Sequence, residues 1–138
     1  MAQNESNRWV MSEKPKILVV DDEISVGTMI VFLLTRGGCD ADMARNADQA
    51  LQLAQVREFD LITLDVELPG TTGFAIYQRL REIPRLKDTP VVFVSGRPTI
   101  ENMQRAFDLG AADFIEKPFD ARDFLSRILS LAKETAQT

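Results

Sequence analysis

From Lys16 onward, short apolar runs alternate with amphipathic stretches. The runs are KILVVDD (16–22), CDADMA (39–44), FDLITLD (59–65), PVVFVS (90–95) and ADFIEKP (112–118). Their length and their Val, Ile, Leu and Phe content predict five strands. The stretches between them carry apolar residues at helical spacing. Met29, Ile30, Leu33 and Leu34 form one stripe, ended by Gly37-Gly38, and Ala47, Ala50, Leu51 and Ala54 form a second behind a box-like Asn46…Gln49. Ile76, Tyr77, Leu80 and Ile83 mark a third helix. Ile100, Met103, Ala106 and Phe107 mark a fourth, starting after Pro98-Thr99 and stopping at Gly110. Asp120 caps the fifth, Phe119 and Phe124 stand at the two positions of a hydrophobic staple, and Leu125, Ile128, Leu129 and Ala132 continue its stripe.

Strict strand–helix alternation predicts a parallel sheet covered by helices, a (βα)5 chain with no internal repeat. The first, third and fourth runs are almost continuously apolar, as central strands require. The second interleaves Asp40 and Asp42, and the fifth carries Asp113 and Glu116. Charge of this kind belongs on edge strands, where it discourages edge-to-edge pairing. Edges at the second and fifth strands give the order 2-1-3-4-5, that of a flavodoxin-like, doubly wound α/β fold. The ligand crevice of such a sheet opens at the carboxyl ends of strands 1 and 3.

The 138 residues suit one domain, and 45% hydrophobic with 27% charged residues is ordinary globular usage. A net charge of −5 argues against direct nucleic-acid binding. A single cysteine, Cys39, excludes an internal disulfide and reads as inert packing in a reducing compartment. There is no histidine, which removes His-based triads, His-ligated zinc and any phosphohistidine in cis. No apolar run approaches the roughly 20 residues of a membrane span, and MAQNESNRWVMSEK lacks a signal-peptide core. A cytoplasmic protein is expected. Residues 1–14 read as a mobile tail with Trp9 incidental and Met11 an alternative start. Residues 15–134 form the domain. The fifth helix is expected to end near Glu134, leaving a tail at 135–138 and no output domain.

The polar residues that end the runs carry the chemistry. Strand 1 ends in Asp21-Asp22, followed by Glu23; strand 3 ends in Asp65, strand 4 in Ser95 and strand 5 in Lys117. Any one of these is ordinary turn chemistry, but all converge on one rim of the predicted sheet. Clustered carboxylates repel unless a cation joins them. An all-oxygen set without His or thiol suits a hard ion such as Mg2+. Lys117 offers a point charge for a phosphoryl oxygen and Ser95 a hydrogen bond for another. A carboxylate nucleophile beside Mg2+ and Lys describes a phosphoryl-accepting aspartate.

These residues resemble a family. Over roughly residues 15–133 the chain is similar to two-component response-regulator receiver domains of the chemotaxis-receiver type. The likeness is carried by KILVVDDE (16–23), LDVELPGTTG (64–73), VSGRPT (94–99) and GAADFIEKPF (110–119). It implies phosphoryl transfer from a phosphohistidine on a sensor histidine kinase, or a phosphotransfer protein, to Asp65. It implies Mg2+ held by Asp21, Asp22, Asp65 and the backbone carbonyl of Glu67. Ser95 and Lys117 would bind the phosphoryl oxygens, Ser95 and Phe114 would move with the switch, and the Lys117-Pro118 bond would be cis. Output would pass to a partner protein or a second copy through helix 4, strand 5 and helix 5. Self-catalysed gain and loss of the phosphoryl group would be the whole of its catalysis. Departures are mild. Glu67 and Arg97 occupy positions that tune phosphoryl lifetime in the family, Thr71-Thr72 replaces a common Met-Asp, and Phe114 replaces the commoner Tyr. On the residues alone Phe114 is equally core filler, and Arg97 reads as a solvated loop residue.

Rival readings keep a place. A magnesium-dependent phosphohydrolase of the haloacid-dehalogenase type also uses an Asp at a strand end. It wants a second Asp two residues on, where Glu67 stands, and a cap domain that 138 residues cannot hold. A flavin-binding relative needs a Gly- and hydroxyl-rich loop after strand 1, where Asp-Asp-Glu would repel phosphate. A degenerate scaffold would not need the complete acidic set.

Overall fold

The computed structural model describes residues 14–137, with side chains through Lys133. Apart from Lys14, the expected N-terminal tail lies outside the described residues. The elements are β1 Lys16–Val20, α1 Ile24–Arg36, β2 Asp40–Ala44, α2 Ala47–Val56, β3 Leu61–Leu64, α3 Gly73–Arg81, β4 Val91–Ser95, α4 Ile100–Leu109, β5 Asp113–Glu116 and α5 Ala121–Gln137. All five strands are parallel and lie in the order β2-β1-β3-β4-β5, the doubly wound α/β arrangement expected. The charged runs are the edges.

Period-two alternation divides each central strand between two cores. Ile17, Val19, Leu61, Val92 and Val94 face α1 and α5, meeting Ile30, Leu34, Phe124, Ile128 and Ala132. Leu18, Val20, Ile62, Leu64, Val91 and Phe93 face the other way, onto Ala50, Ala54, Ile76, Tyr77, Leu80 and Ala106 of α2, α3 and α4. Burial on both faces is why these runs read as unbroken apolar sequence.

The helix starts follow their local chemistry. Asn46, Thr72, Thr99 and Asp120 accept from the N–H groups of Gln49, Ala75, Asn102 and Asp123 at 2.9, 3.2, 3.1 and 2.9 Å. Gln49 reaches back to the Arg45 N–H at 2.8 Å, so the box closes one residue earlier than drawn from sequence. Phe119 and Phe124 stack at 4.4 Å between ring centroids, which is the staple. Gly110 ends α4 at φ 106, a left-handed conformation that favours glycine.

One helix end needs correction, and two helices bury less of their stripes than others do. The α5 helix runs to Gln137, three residues past Glu134, because Thr135-Ala136-Gln137 holds no Gly or Pro to stop it. Of the fourth stripe only Ala106 is buried, while Ile100, Met103 and Phe107 are exposed. The helix meets the sheet near its β5 edge through Ala106 and the half-buried Leu109, which leaves the larger side chains on its flank. Met29 on α1 is exposed too, since α1 is anchored by Gly27, Ile30 and Leu34. A short antiparallel ribbon, Glu67–Leu68 with Thr71–Thr72, and a 3-10 turn at Pro84–Leu86 complete the fold.

Candidate phosphoacceptor site

Backbone hydrogen bonds carry the sheet one step past its strands and so build the rim. The Asp21 N–H donates to the Ala44 carbonyl at 3.0 Å, the Asp65 N–H to Val20 at 3.1 Å, and the Lys117 N–H to Ser95 at 2.8 Å. Each candidate side chain is thus placed by the neighbouring strand rather than by a free loop. The start of α3 closes the rim from behind. The Gly73 N–H donates to the Val66 carbonyl at 2.7 Å, and a Cβ at Gly73 would collide with the backbone oxygen of Asp65. Only glycine lets the helix approach Asp65 so closely.

Lys117 is the centre of the cluster. Its Nζ stands 2.8 Å from Asp21 Oδ2, 2.9 Å from Asp65 Oδ2 and 3.8 Å from Glu23 Oε1. The second oxygens are also engaged: Asp21 Oδ1 accepts from the Glu23 N–H at 2.9 Å and Asp65 Oδ1 from the Glu67 N–H at 3.1 Å. Asp21 and Asp65 are buried; Lys117 and Asp22 are half-buried. Burial pushes the Asp65 carboxyl above its ordinary range, against the lowering pull of Lys117. Burial works to lower the Lys117 ammonium, but its hydrogen bonds to Asp21 and Asp65 prevail and the net shift is upward. The ammonium therefore stays charged across neutral pH.

The acidic trio fits a hard divalent ion. Asp21, Asp22 and Asp65 each bring a carboxylate oxygen within 4.8 Å of the others. Three carboxylate oxygens without a nitrogen or sulfur ligand are the donor set that such an ion would take. An open cleft of about 450 Å3 above it is lined by Asp22, Glu23, Asp65, Glu67, Leu68 and Pro69. A cavity of about 650 Å3 at the β2 edge, bordered by Lys16, Asp40, Asp42 and Arg57, gathers no such cluster. Chemistry rather than volume locates the site.

The remaining candidates divide. Ser95 is buried at the end of β4, its Oγ accepting from the Arg97 N–H at 3.0 Å. Phe114 sits opposite Phe93 on β5 and is buried in the α2–α4 core, away from the charged rim. The Glu67 side chain is exposed and pairs with Arg97 at 3.3 Å, so only its backbone belongs to the acidic cluster. Arg97, read from sequence as a solvated loop residue, spans from Ser95 to Glu67. Glu23 comes within 3.8 Å of Lys117, though nothing in its position after Asp22 distinguishes it from an ordinary turn acid. The Gly73 approach was visible only as part of a motif. The Lys117-Pro118 bond is cis, and no described helix is long and apolar enough to cross a membrane.

Comparison with known proteins agrees with this geometry. The chain is 35% identical over 121 residues to the DNA-binding dual master transcriptional regulator RpaA of Synechocystis sp., covering 88% of this chain and 50% of that protein. It spans about half the length of the curated relatives it matches. Among solved structures it is similar to the Vibrio cholerae chemotaxis protein CheY4, with TM-score 0.81, 30% identity, and 86% of this chain and 98% of that one covered. The non-phosphorylated HemR receiver domain of Leptospira biflexa gives TM-score 0.79 and 32% identity over 86% of this chain and 94% of that one. The haloacid-dehalogenase alternative finds no support in fold or relatives. Residues 17–129 match the model of the response regulator receiver domain, and the chain belongs to that family.

Proposed function

We propose that Asp65 accepts a phosphoryl group from a phosphohistidine of a sensor histidine kinase or phosphotransfer protein. The carrying observation is the buried Asp65 carboxylate, 2.9 Å from the Lys117 ammonium and grouped with Asp21 and Asp22 at the carboxyl end of the sheet. Receiver domains are generally signalling modules rather than enzymes, and phosphorylation-based signalling fits this one. An Asp65 oxygen attacks phosphorus, the P–N bond breaks, and the imidazole leaves with the bonding pair and takes up a proton. Asp21, Asp22, Asp65 and the Glu67 carbonyl would hold Mg2+, which when bound supplies neutralisation of the gathering negative charge. Lys117 and the Ser95 hydroxyl bind phosphoryl oxygens. Water attack on the acyl phosphate later releases inorganic phosphate.

The unit that performs this is the domain expected over residues 15–134, with its last helix continuing to Gln137, in the cytoplasm and without contact to nucleic acid or membrane. Output follows from position. Closing Ser95 onto the phosphoryl group draws on the 95–98 loop and the start of α4, and Phe114 repacks behind it. The surface altered is α4, β5 and α5, where a downstream protein or a second copy binds. The exposed Ile100, Met103 and Phe107 supply an apolar stripe there.

Acetyl phosphate or phosphoramidate with Mg2+ should add one phosphoryl mass to the wild-type chain and none to Asp65→Asn. Equal labelling of the Asn variant would remove Asp65 as the acceptor.

A further inference from the structure

Glu67 and Arg97 lie thirty residues apart in sequence and meet beside the cleft that Glu67 lines, Arg97 Nε standing 3.3 Å from Glu67 Oε1. Each is pinned by its backbone to a reacting group. The Glu67 N–H donates to Asp65 Oδ1 at 3.1 Å, and the Arg97 N–H donates to Ser95 Oγ at 3.0 Å. The Arg97 carbonyl accepts from Asn102 Nδ2 at 3.0 Å, which ties it to the first turn of α4. We propose that Arg97 is a further phosphoryl-binding side chain, held off the acceptor by Glu67, and that the pair is a latch opened by phosphorylation of Asp65. The inference rests on Asp65 being the phosphoacceptor.

Charge decides which partner the guanidinium takes. The Arg97 and Glu67 side chains are 70% and 60% exposed, and an ion pair so well solvated is weak. A phosphoryl group brings a charge of about −1.5 to −2 and three strong acceptor oxygens. The planar guanidinium fork suits such an acceptor better than a single carboxylate oxygen. Lys117 supplies one positive charge, which Asp21 shares at 2.8 Å. The Asp21 and Asp22 carboxylates with a phosphoryl group of charge about −1.5 to −2 exceed the charge of one ammonium and one divalent ion, so a second side-chain cation has a role. Exchange of partners carries the Arg97 backbone with it, and both Ser95 and Asn102 are attached to that backbone. The latch thus joins the site to α4 by a route that does not need the Phe114 ring.

The test is a double-mutant cycle read by calorimetry, with beryllium fluoride and Mg2+ as the probe in place of a phosphoryl group. Arg97→Gln should weaken binding about threefold to tenfold, the scale of one exposed charge-assisted contact. Glu67→Gln should tighten it by a similar factor, and on the Arg97→Gln background should change nothing. Equal tightening by Glu67→Gln on both backgrounds would mean plain charge repulsion and overturn the latch, as would wild-type affinity in Arg97→Gln. If the wild-type chain binds no beryllium fluoride, the phosphoacceptor reading itself fails and the latch goes with it.

Discussion

Helices α4 and α5 flank the acidic rim and carry similar stripes in sequence, yet the fold uses them in opposite ways. In α5, Phe124, Ile128 and Ala132 are fully buried against β1, β3 and β4 residues, and the Phe119–Phe124 stack anchors the helix beside the Lys117 loop. In α4, Ala106 alone is buried, and Ile100, Met103 and Phe107 are 83%, 38% and 48% exposed. Lys117 lies in the loop between β5 and the packed helix. Ser95 ends β4, and Arg97 lies in the loop that leads to the loosely packed helix. Few buried contacts mean a low cost of displacement, so α4 is the cheaper of the two helices to displace.

The largest expected effect lies on α5. Phe124→Ala should cost about 3–5 kcal/mol, through lost burial and the cavity left behind. It should appear as a lower urea midpoint at an unchanged slope. A loss below about 1 kcal/mol would make α5 no more a core helix than α4.

A middle effect is expected at the cation between them. Removing one member of a mostly buried ion cluster strands the rest, so Lys117→Met in EDTA should lose about 1–3 kcal/mol at neutral pH. The pH dependence has a definite sign. Lys117 titrates above its ordinary value in the folded state, so its contribution is complete below that value and fades as pH rises through the shifted one. The gap between wild type and Lys117→Met should therefore narrow above about pH 10. Asp65 is also shifted upward, chiefly by burial, so folding favours its protonated form and its charge costs stability once pH passes the ordinary carboxylate range. Urea titrations of both proteins across pH check this; a gap that widens in alkali contradicts it.

The smallest effect on stability belongs to α4. Phe107→Ser should stay within about 0.5 kcal/mol of wild type, as surface substitutions do. It should nonetheless weaken pull-down of a partner, or self-association, by the beryllium fluoride-loaded domain. A melting loss as large as that of Phe124→Ala would erase the distinction between the helices.

Much of the fold was legible because it obeys local rules. Asp40, Asp42, Asp113 and Glu116 marked the edge strands through the cost of burying charge. Thr99 and Asp120 marked helix starts because their side chains reach an N–H three residues on. Asp21, Asp65, Ser95 and Lys117 were legible as a site because each ends an apolar run, and parallel strands put all such ends on one rim. The α4 stripe marked its helix but not its burial: period 3.6 says which side chains share a face, and nothing about what that face meets.

Sequence alone, then, determined the order of the strands, the capped helices and the chemical character of the rim, each being a consequence of period, charge and strand ends. Tertiary structure alone decided that Asp21 is buried and bound to Lys117 while its neighbour Asp22 stands half-open, because successive residues leaving a strand point to opposite sides. It decided that Glu67 meets Arg97, that α3 abuts Asp65 at Gly73, and that α4 keeps its apolar stripe in water. Each of those depends on where loops and helices come to rest over an edge strand. Distances between segments thirty or fifty residues apart are set by packing, and no local pattern encodes them.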